Sequence, residues 1–396
     1  MTDDVTTQKY RRQAEMLGNR IKKRFKHLHR RYARQNIEAF RLYDWDIPEI
    51  RAVVDWYAGH LVVAEYTRRQ STPEWLPMMG TAAAAALNVP MEKVHLKQRF
   101  TGGGDGVRYE RIDTTDEKIV VSEEDMAFYV NLNDYVDTGL FSDHRNTRRM
   151  VRDMAPGKDF LNLFCYTGTF TCYAAAGGAR RTVSVDRSET AIRWARENMA
   201  LNGIPETGHS LIQADTFDFL ERADHEHQKF DLAVVDPPSF STSRDPRQNL
   251  DGSFDVLADH PVLLDAVIRR MRKGGIIVFS TNHQNFEPRM DRLPITDIEE
   301  ITARTIPEDY ADKRKTVHRC WKIVVCCLTA LPGRNISGGC GHGRDRRRLL
   351  SSGSDEPPVA RCRDALIGCA TAKTIERKSV IPEDLRGRGI MVRKLG

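Results

Sequence analysis

The stretch from Asp159 to Ala179, DFLNLFCYTGTFTCYAAAGGA, constrains the fold more than any other part of the chain. An apolar run stops at Thr167-Gly168-Thr169 and resumes as small residues, so the segment reads as a strand, a tight turn and a helix start. In an open α/β sheet, the junction at the carboxyl end of the first strand is where a nucleotide-like ligand sits. Gly168 can take positive φ and let a ligand approach the backbone, while the amides opening the next helix favour an anionic group. The dinucleotide pattern G-x-G-x-x-G is absent, which weighs against a pyrophosphate ligand.

Downstream, Thr182 to Asp186 reads as a β-branched strand closed by an acid, roughly twenty residues past the glycine turn, where such folds hold ribose hydroxyls. Ser188 can cap a helix carrying Ala191, Trp194, Ala195 and Met199 on helical spacing, and Asn202-Gly203 stops it. A third strand, Ser210 to Asp215, ends in an acid able to accept a hydrogen bond from an adenine amino group. A fourth, Phe230 to Asp236, runs into Pro237-Pro238-Ser239-Phe240. Strand ends at Gly168, Asp186, Asp215 and Asp236, in that order, suit S-adenosylmethionine better than a hydride carrier. The pattern predicts an α/β fold with a mostly parallel, doubly wound sheet.

The two prolines restrict the turn and hold the Asp236 carboxylate and the Phe240 ring in fixed relation. Phe240 can stack on an extruded base while Asp236 and the Pro237 carbonyl accept hydrogen bonds from its N-H groups. Ordinary turns also contain Asp-Pro-Pro; the position at the end of a fourth strand favours a catalytic one. A base nitrogen with a lone pair and no proton needs no general base to take up a methyl group, and a carboxylate beside the cationic product stabilises the developing charge. An exocyclic amine would instead ask Asp236 to accept an N-H, and both schemes fit these residues.

The ordered set of motifs resembles the class I S-adenosylmethionine-dependent methyltransferases and, more narrowly, the RlmK part of the 23S rRNA guanine methyltransferase RlmKL. The resemblance runs from about Asn19 to Ile323 and rests on Asn19-Arg-Ile-Lys-Lys-Arg, Tyr43-Asp44-Trp-Asp46-Ile-Pro48, Thr138-Gly-Leu-Phe-Ser-Asp143-His-Arg145, Asn162-Leu-Phe-Cys-Tyr-Thr-Gly168, Asp236-Pro-Pro-Ser-Phe240, Ser280-Thr-Asn282 and Thr316-Val-His-Arg-Cys-Trp321. It implies a Rossmann-like fold, S-adenosylmethionine as cofactor, no metal, and guanine N7 of 23S rRNA or a large-subunit precursor as target. It implies further that Thr138, Phe141, Asp143 and Arg145 fold over the cofactor. Asn162, Phe164, Tyr166, Thr167, Gly168, Asp186, Arg187, Ser188, Asp215, Thr216 and Asp236 are then the cofactor-binding set, and Asp236, Pro237 and Phe240 the catalytic one. Ser142 stands where the family more often has an apolar residue. An RlmL half precedes this part in RlmKL, so the resemblance also implies an RlmL-type partner. In the related cytosine-C5 enzymes a cysteine follows the serine matching Ser280; Thr281-Asn282 stand here, and Cys165 and Cys172 read as packing residues.

Charge distribution says more than the formal total of +6. Between Arg11 and Arg34 lie Arg12, Arg20, Lys22, Lys23, Arg24, Lys26, Arg30 and Arg31 against Glu15, a density that a phosphate backbone would attract. An isolated basic run is more often a solvated helix face, but upstream of such a catalytic pattern RNA contact ranks first, through Arg20, Lys22, Lys23, Lys26 and Arg30. Tyr32 and Phe40 can add stacking surface, but each suits the core at least as well. Residues 1–136 read as this helix plus a small α+β module, with strands at Ala52 to Tyr57, Leu61 to Tyr66, Lys93 to Phe100 and Met126 to Leu132, and a helix from Pro73 to Val89. The loop Thr101 to Gly106 suits a hairpin tip.

Residues 137–323 form the predicted methyltransferase domain. Ser241 to His260 reads as a substrate loop with Arg244 as a further RNA contact, Pro261 to Met271 as a helix, and Gly274-Gly275 as the lead into a strand over Ile276 to Ser280. From about Val324 the periodicity ends, the cysteine spacings fit no standard metal site, and residues 324–396 read as a disordered or aberrant extension. Eight cysteines without a C-x-x-C pair, no apolar run of membrane-span length and no secretory signal make the cytoplasm the expected location. A different class, an RNA-binding or assembly protein with a vestigial catalytic domain, is weighed down by the intact acids at Asp186, Asp215 and Asp236.

Overall fold

The computed structural model describes residues 2–67, 71–100, 113–225, 227–241, 254–283, 285–311 and 316–326. All of them belong to one compact unit spanning residues 1–331, so the basic helix and the central sheet share one body. The Thr101 to Gly106 loop, Arg244 and the segment 327–396 lie outside the described residues.

Helix α1 (Thr2–Arg34) opens the chain. Its stripe Ala14, Leu17, Ile21, Leu28 and Tyr32 is buried, following the i, i+3, i+4 spacing that turns one face of a helix inward. That face packs on strands β1 (Ala39–Asp44), β2 (Ala52–Tyr57) and β3 (His60–Thr67), on helix α2 (Trp75–Leu87) and on its neighbour β4 (Val94–Phe100). The four strands run in order β1-β2-β3-β4, with β3 and β4 parallel because α2 crosses between them. Tyr32 and Phe40 are both core, and the Tyr32 hydroxyl donates to Asp309 Oδ1 at 2.8 Å.

A hairpin follows, β5 (Ile119–Glu123) and β6 (Met126–Val130), turning through Glu124 at φ 63°. Then come α3 (Arg145–Met154), β7 (Asp159–Leu163), α4 (Thr169–Ala176), β8 (Arg181–Asp186), α5 (Glu189–Leu201), β9 (His209–Gln213), α6 (Thr216–His225) and β10 (Phe230–Val235). The short pair β11 (Phe240–Ser241) and β12 (Phe254–Asp255) precedes α7 (Val256–Arg270), β13 (Met271–Thr281), β14 (Ile295–Glu300), α8 (Thr302–Thr305) and β15 (Arg319–Val325).

Seven of these strands form the central sheet in the order β14-β15-β13-β10-β7-β8-β9. From β9 through β13 the pairs are parallel, and β15 enters antiparallel to both its neighbours. The central strands are buried on both faces, as parallel sheets covered by helices must be. Leu161, Leu163, Ala233 and Val235 face one helical layer with Leu263, Leu264 and Val267, while Phe160, Leu232 and Val234 face the other with Val151 and Ala174. The doubly wound Rossmann-like architecture expected from the sequence is the one observed.

Two boundaries differ from the sequence reading. The helix expected from Pro261 begins at Val256, with Pro261 inside it. Proline removes a donor and crowds the carbonyl four residues back; here Arg289 Nη2 supplies the donor, at 2.5 Å from the Leu257 carbonyl and 2.8 Å from that of Ala258. The strand expected from Ile276 begins at Met271, and Gly274 at φ 72° takes up a break in register between Phe230–Met271 and Leu232–Ile276. Strand β14 has no apolar signature because it is an exposed edge carrying Asp297, Glu299 and Glu300, charges that discourage pairing with another chain. Among the described residues no helix is long and apolar enough to cross a membrane.

Candidate active site

Because β9, β8, β7 and β10 are adjacent and parallel, their carboxyl ends share one edge, and the chain reverses its winding direction between β7 and β10. Such a reversal leaves a crevice above the strand ends. The loop leaving β7 rises into it with Phe164 (φ 56°), Tyr166 (φ 49°) and Gly168 (φ 74°) in the left-handed region. Two bulky residues in that conformation cost on the order of 1–3 kcal/mol each and persist only when neighbours over-determine them. The Tyr166 amide donates to Asp186 Oδ2 at 2.9 Å, the Thr167 hydroxyl to the Gly139 carbonyl at 2.6 Å, and Asn198 Nδ2 to the Thr167 carbonyl at 2.9 Å. Gly168 is required for its φ and for space, since a Cβ there would lie 2.8 Å from the Ala195 Cβ.

Asp186 closes β8. Its Oδ1 accepts the Ser188 amide at 2.8 Å, and burial pushes the carboxyl above its usual range. A carboxylate offers about four lone-pair directions; the Tyr166, Ser188 and Arg187 amides use part of that capacity, and what is left is open to a hydroxyl donor. Arg187 is exposed beside it, and Ser188 accepts the Ala191 amide at 3.2 Å as the cap of α5. Asp215 follows β9 and accepts the Phe217 amide on Oδ1 at 2.8 Å, so it caps α6, whose first residue Thr216 is buried.

Three expected residues sit elsewhere than on the ligand surface. Asn162 is buried within β7, where its Nδ2 donates to Thr171 Oγ1 at 2.9 Å, supporting the loop from beneath. Arg145 does not reach over the crevice: its guanidinium is buried on Asp309 Oδ1 at 3.1 Å and the Ala39 carbonyl at 2.6 Å, tying the sheet to the N-terminal module. Thr138 is buried against the Tyr57 hydroxyl at 2.9 Å. The segment still folds across the strand ends, because Gly139 (φ 96°) admits the Trp194 ring where a Cβ would stand 2.3 Å from it. This leaves Phe141 42% exposed with its ring centroid 5.3 Å from that of Tyr166. Ser142 meets the Tyr310 hydroxyl at 2.7 Å, which accounts for a polar residue in a buried place.

At the end of β10, Ser280 of the neighbouring β13 donates to Asp236 Oδ1 at 2.6 Å. Ser239 donates to Asn282 Oδ1 at 2.6 Å, so both turns are tied to each other. Pro237 is buried, whereas Phe240 is 37% exposed at the start of β11. Asp143, expected near the cofactor, lies beside His318, with Nδ1 to Oδ2 at 3.0 Å. Burial alone would raise its carboxyl, but His144 and His318 together hold it well below the usual range. Sequence reasoning gave no role to Ser280, His144 or His318, although all three lie inside the motifs that carried the resemblance.

The cations of α1 divide into two sets. Arg20 pairs with Asp46 at 2.8 Å, Arg24 donates to the Glu308 carbonyl at 2.9 Å, and Arg31 pairs with Glu308. Lys22, Lys23, Lys26 and Arg30 are exposed and have no ion partner among the described residues.

A family model described as S-adenosylmethionine-dependent methyltransferase matches residues 45–292. Among solved structures, SMU.776, a candidate methyltransferase complexed with SAH, is 22% identical with a TM-score of 0.61 over 78% of this chain and 82% of that one. A candidate SAM-dependent methyltransferase from Streptococcus mutans is 22% identical with a TM-score of 0.62, covering 79% and 81%. A SAM-dependent methyltransferase from Agrobacterium tumefaciens is 17% identical with a TM-score of 0.51, covering 73% and 90%. At these identities the structural likeness speaks for the fold.

Proposed function

The chain belongs to the S-adenosylmethionine-dependent methyltransferase family, and from that premise we propose that it methylates guanine N7 in 23S rRNA, as RlmK-type enzymes do. S-adenosylmethionine is its cofactor. The residues present fit it: Asp186 keeps acceptor capacity for ribose hydroxyls, Gly168 lets the backbone come close, and Phe141 and Tyr166 offer an aromatic wall. Asp215 Oδ2 is the acceptor for an adenine amino group, Oδ1 being used by the helix cap. Bound there, the cofactor supplies an electrophilic methyl group on a sulfonium.

One observation carries the substrate reading. Asp236 is pinned through Oδ1 by Ser280, and Phe240, held close by the Pro237-Pro238 turn, remains exposed. In this reading the Phe240 ring stacks on an extruded base, and Asp236 Oδ2 and the Pro237 carbonyl accept its N-H groups. Positioning accounts for most of the rate, since the N7 lone pair needs only an in-line approach and no proton has to be removed. The carboxylate favours the cationic ring that results.

Cytosine C5 methylation would need a thiolate. Cys165, Cys172 and Cys320 are buried, and burial pushes each thiol upward, away from the reactive anion. Affinity for RNA is assigned to Lys22, Lys23, Lys26 and Arg30, with Arg20 placed second because of its bond to Asp46. The substrate puts the reaction in the cytoplasm, and an RlmL-type partner is part of the same proposal.

The deciding experiment incubates the protein with isotopically labelled S-adenosylmethionine and 23S rRNA, either protein-free or in assembled subunits, and analyses the nucleosides by mass spectrometry. 7-Methylguanosine is expected. A methyl on the exocyclic N2 or on cytosine would replace the proposed target, and cofactor binding without any labelled RNA would turn the assignment toward an RNA-binding or assembly role.

A further inference from the structure

Beside Asp236 the described residues gather a second group of titratable side chains that the proposed chemistry leaves unused: Asp143, His144 and His318. His318 has a partner on each ring nitrogen, Asp143 Oδ2 on Nδ1 at 3.0 Å and Thr305 Oγ1 on Nε2 at 3.0 Å. The His144 ring stacks on it with centroids 4.0 Å apart and planes 9° from parallel. That stacking argues against a shared metal ion. A metal binds along the in-plane lone pair of an imidazole nitrogen, about 2 Å from it, and two nearly parallel rings stacked 4.0 Å apart have no point in both planes at that reach.

His144 is buried, and its Nε2 faces Asp236 Oδ2 at 3.6 Å and Asp143 Oδ2 at 3.9 Å. Asp143 Oδ2 is already bonded to His318, so Asp236 is the acceptor left for His144. On the other side of the ring, Nδ1 lies 3.2 Å from the buried Thr147 hydroxyl.

We propose that His144 is a positioning residue: its Nε2-H donates to Asp236 Oδ2 opposite the Ser280 hydroxyl on Oδ1, and so fixes the carboxylate plane that meets the target base. The inference rests on the role given to Asp236 above. At 3.6 Å the contact is longer than a formed hydrogen bond, and contacts in unliganded sites commonly tighten when substrate arrives. Only one tautomer satisfies both neighbours. With the proton on Nε2, the ring offers a donor to the carboxylates and an acceptor to Thr147; the other tautomer sets a lone pair against two carboxylates. Burial, reinforced by His318, keeps the ring neutral at pH 7.

Two measurements test this. Two-bond proton–nitrogen correlation spectra of protein labelled with nitrogen-15 histidine, with His144→Gln to assign the signal, should place the proton on Nε2 at pH 7. A proton on Nδ1, or a charged ring, overturns the proposal, and this readout needs no RNA. In methyl transfer to 23S rRNA, His144→Asn keeps an amide only near the Nδ1 position and should lower kcat about ten- to a hundredfold with unchanged cofactor Kd, the range for a lost hydrogen bond to a charged group. His144→Gln restores a donor near Nε2 and should recover most of that loss. Equal losses in the two variants, or losses that follow thermal stability, would make His144 merely structural. If no RNA is methylated at all, the substrate assignment fails while the spectra still decide the histidine's role.

Discussion

Asp186 Oδ2 accepts the Tyr166 amide at 2.9 Å, so the end of β8 holds the left-handed turn that leaves β7. One carboxylate therefore shapes the loop and keeps acceptors for a ligand. Asp186→Ala is expected to weaken S-adenosylmethionine binding more than tenfold by titration calorimetry and to lower stability by roughly 1–3 kcal/mol, the range for leaving a buried donor unsatisfied. Asp186→Asn, which retains one acceptor oxygen, should fall between the two. Unchanged affinity in the alanine variant would remove Asp186 from the cofactor site.

Ser280 contributes through Asp236. Replacing it with alanine frees Oδ1 of a charge-assisted bond worth about 1.5–3 kcal/mol. Steady-state kinetics should show kcat/KM for RNA lower by about ten- to a hundredfold, with cofactor Kd within about twofold of wild type. A matching drop in cofactor affinity would mean that the serine shapes the whole crevice.

Gly168 tests the close approach of the β7 loop to α5. A methyl group at 2.8 Å from the Ala195 Cβ, at φ 74°, is expected to destabilise Gly168→Ala by roughly 1–3 kcal/mol in denaturant melts. Adding Ala195→Gly removes the 2.8 Å contact and leaves the 3.2 Å approach to the residue 195 Cα and the backbone strain, so the double variant should recover part of the loss. A fully additive pair would contradict the packing account.

Acid stability follows from His144, whose imidazole is held down to about 4 by burial and then by His318, against the opposing pull of Asp236 and Asp143 and with Arg148 also disfavouring the charge. A folded-state value below the unfolded one means that the unfolded chain takes up the proton first. Stability should therefore be independent of this group above about pH 6.5 and fall as pH drops from there to about 4, with a slope of up to about 1.4 kcal/mol per pH unit. His60, His95, His209 and His260 are shifted the same way and add to the slope. Denaturant melts across this range should be shallower in His144→Gln by about one proton; identical slopes would show that the ring is not buried neutral.

The proposed RNA contact through α1 is tested on its exposed lysines. The triple variant Lys22→Ala, Lys23→Ala, Lys26→Ala should weaken binding to 23S rRNA fragments at low salt and make the plot of log affinity against log salt shallower by about 2–3, from roughly 0.7–0.9 per phosphate contact. The variant Arg24→Ala, at a residue that donates to the Glu308 carbonyl, should affect stability more than that slope. An unchanged slope in the triple variant would move the RNA surface elsewhere.

The local chemistry of the chain by itself determined the strand, turn and helix around Gly168 and the acids that end β8 and β10, because pleat, helical period and turn propensity are set by neighbours in sequence. It also announced a basic α1, but not which cations stay free. Only the folded chain pairs Arg20 with Asp46 and Arg24 with the Glu308 carbonyl, leaving Lys22, Lys23 and Lys26 outward. Arg145, read as a lid over the cofactor, is buried on Asp309 and the Ala39 carbonyl, and Asp236 meets Ser280 and His144. Those partners lie tens to hundreds of residues away along the chain. Sheet order brought them together, and a hydrogen bond depends on distance and direction in space, which no pattern along the sequence encodes.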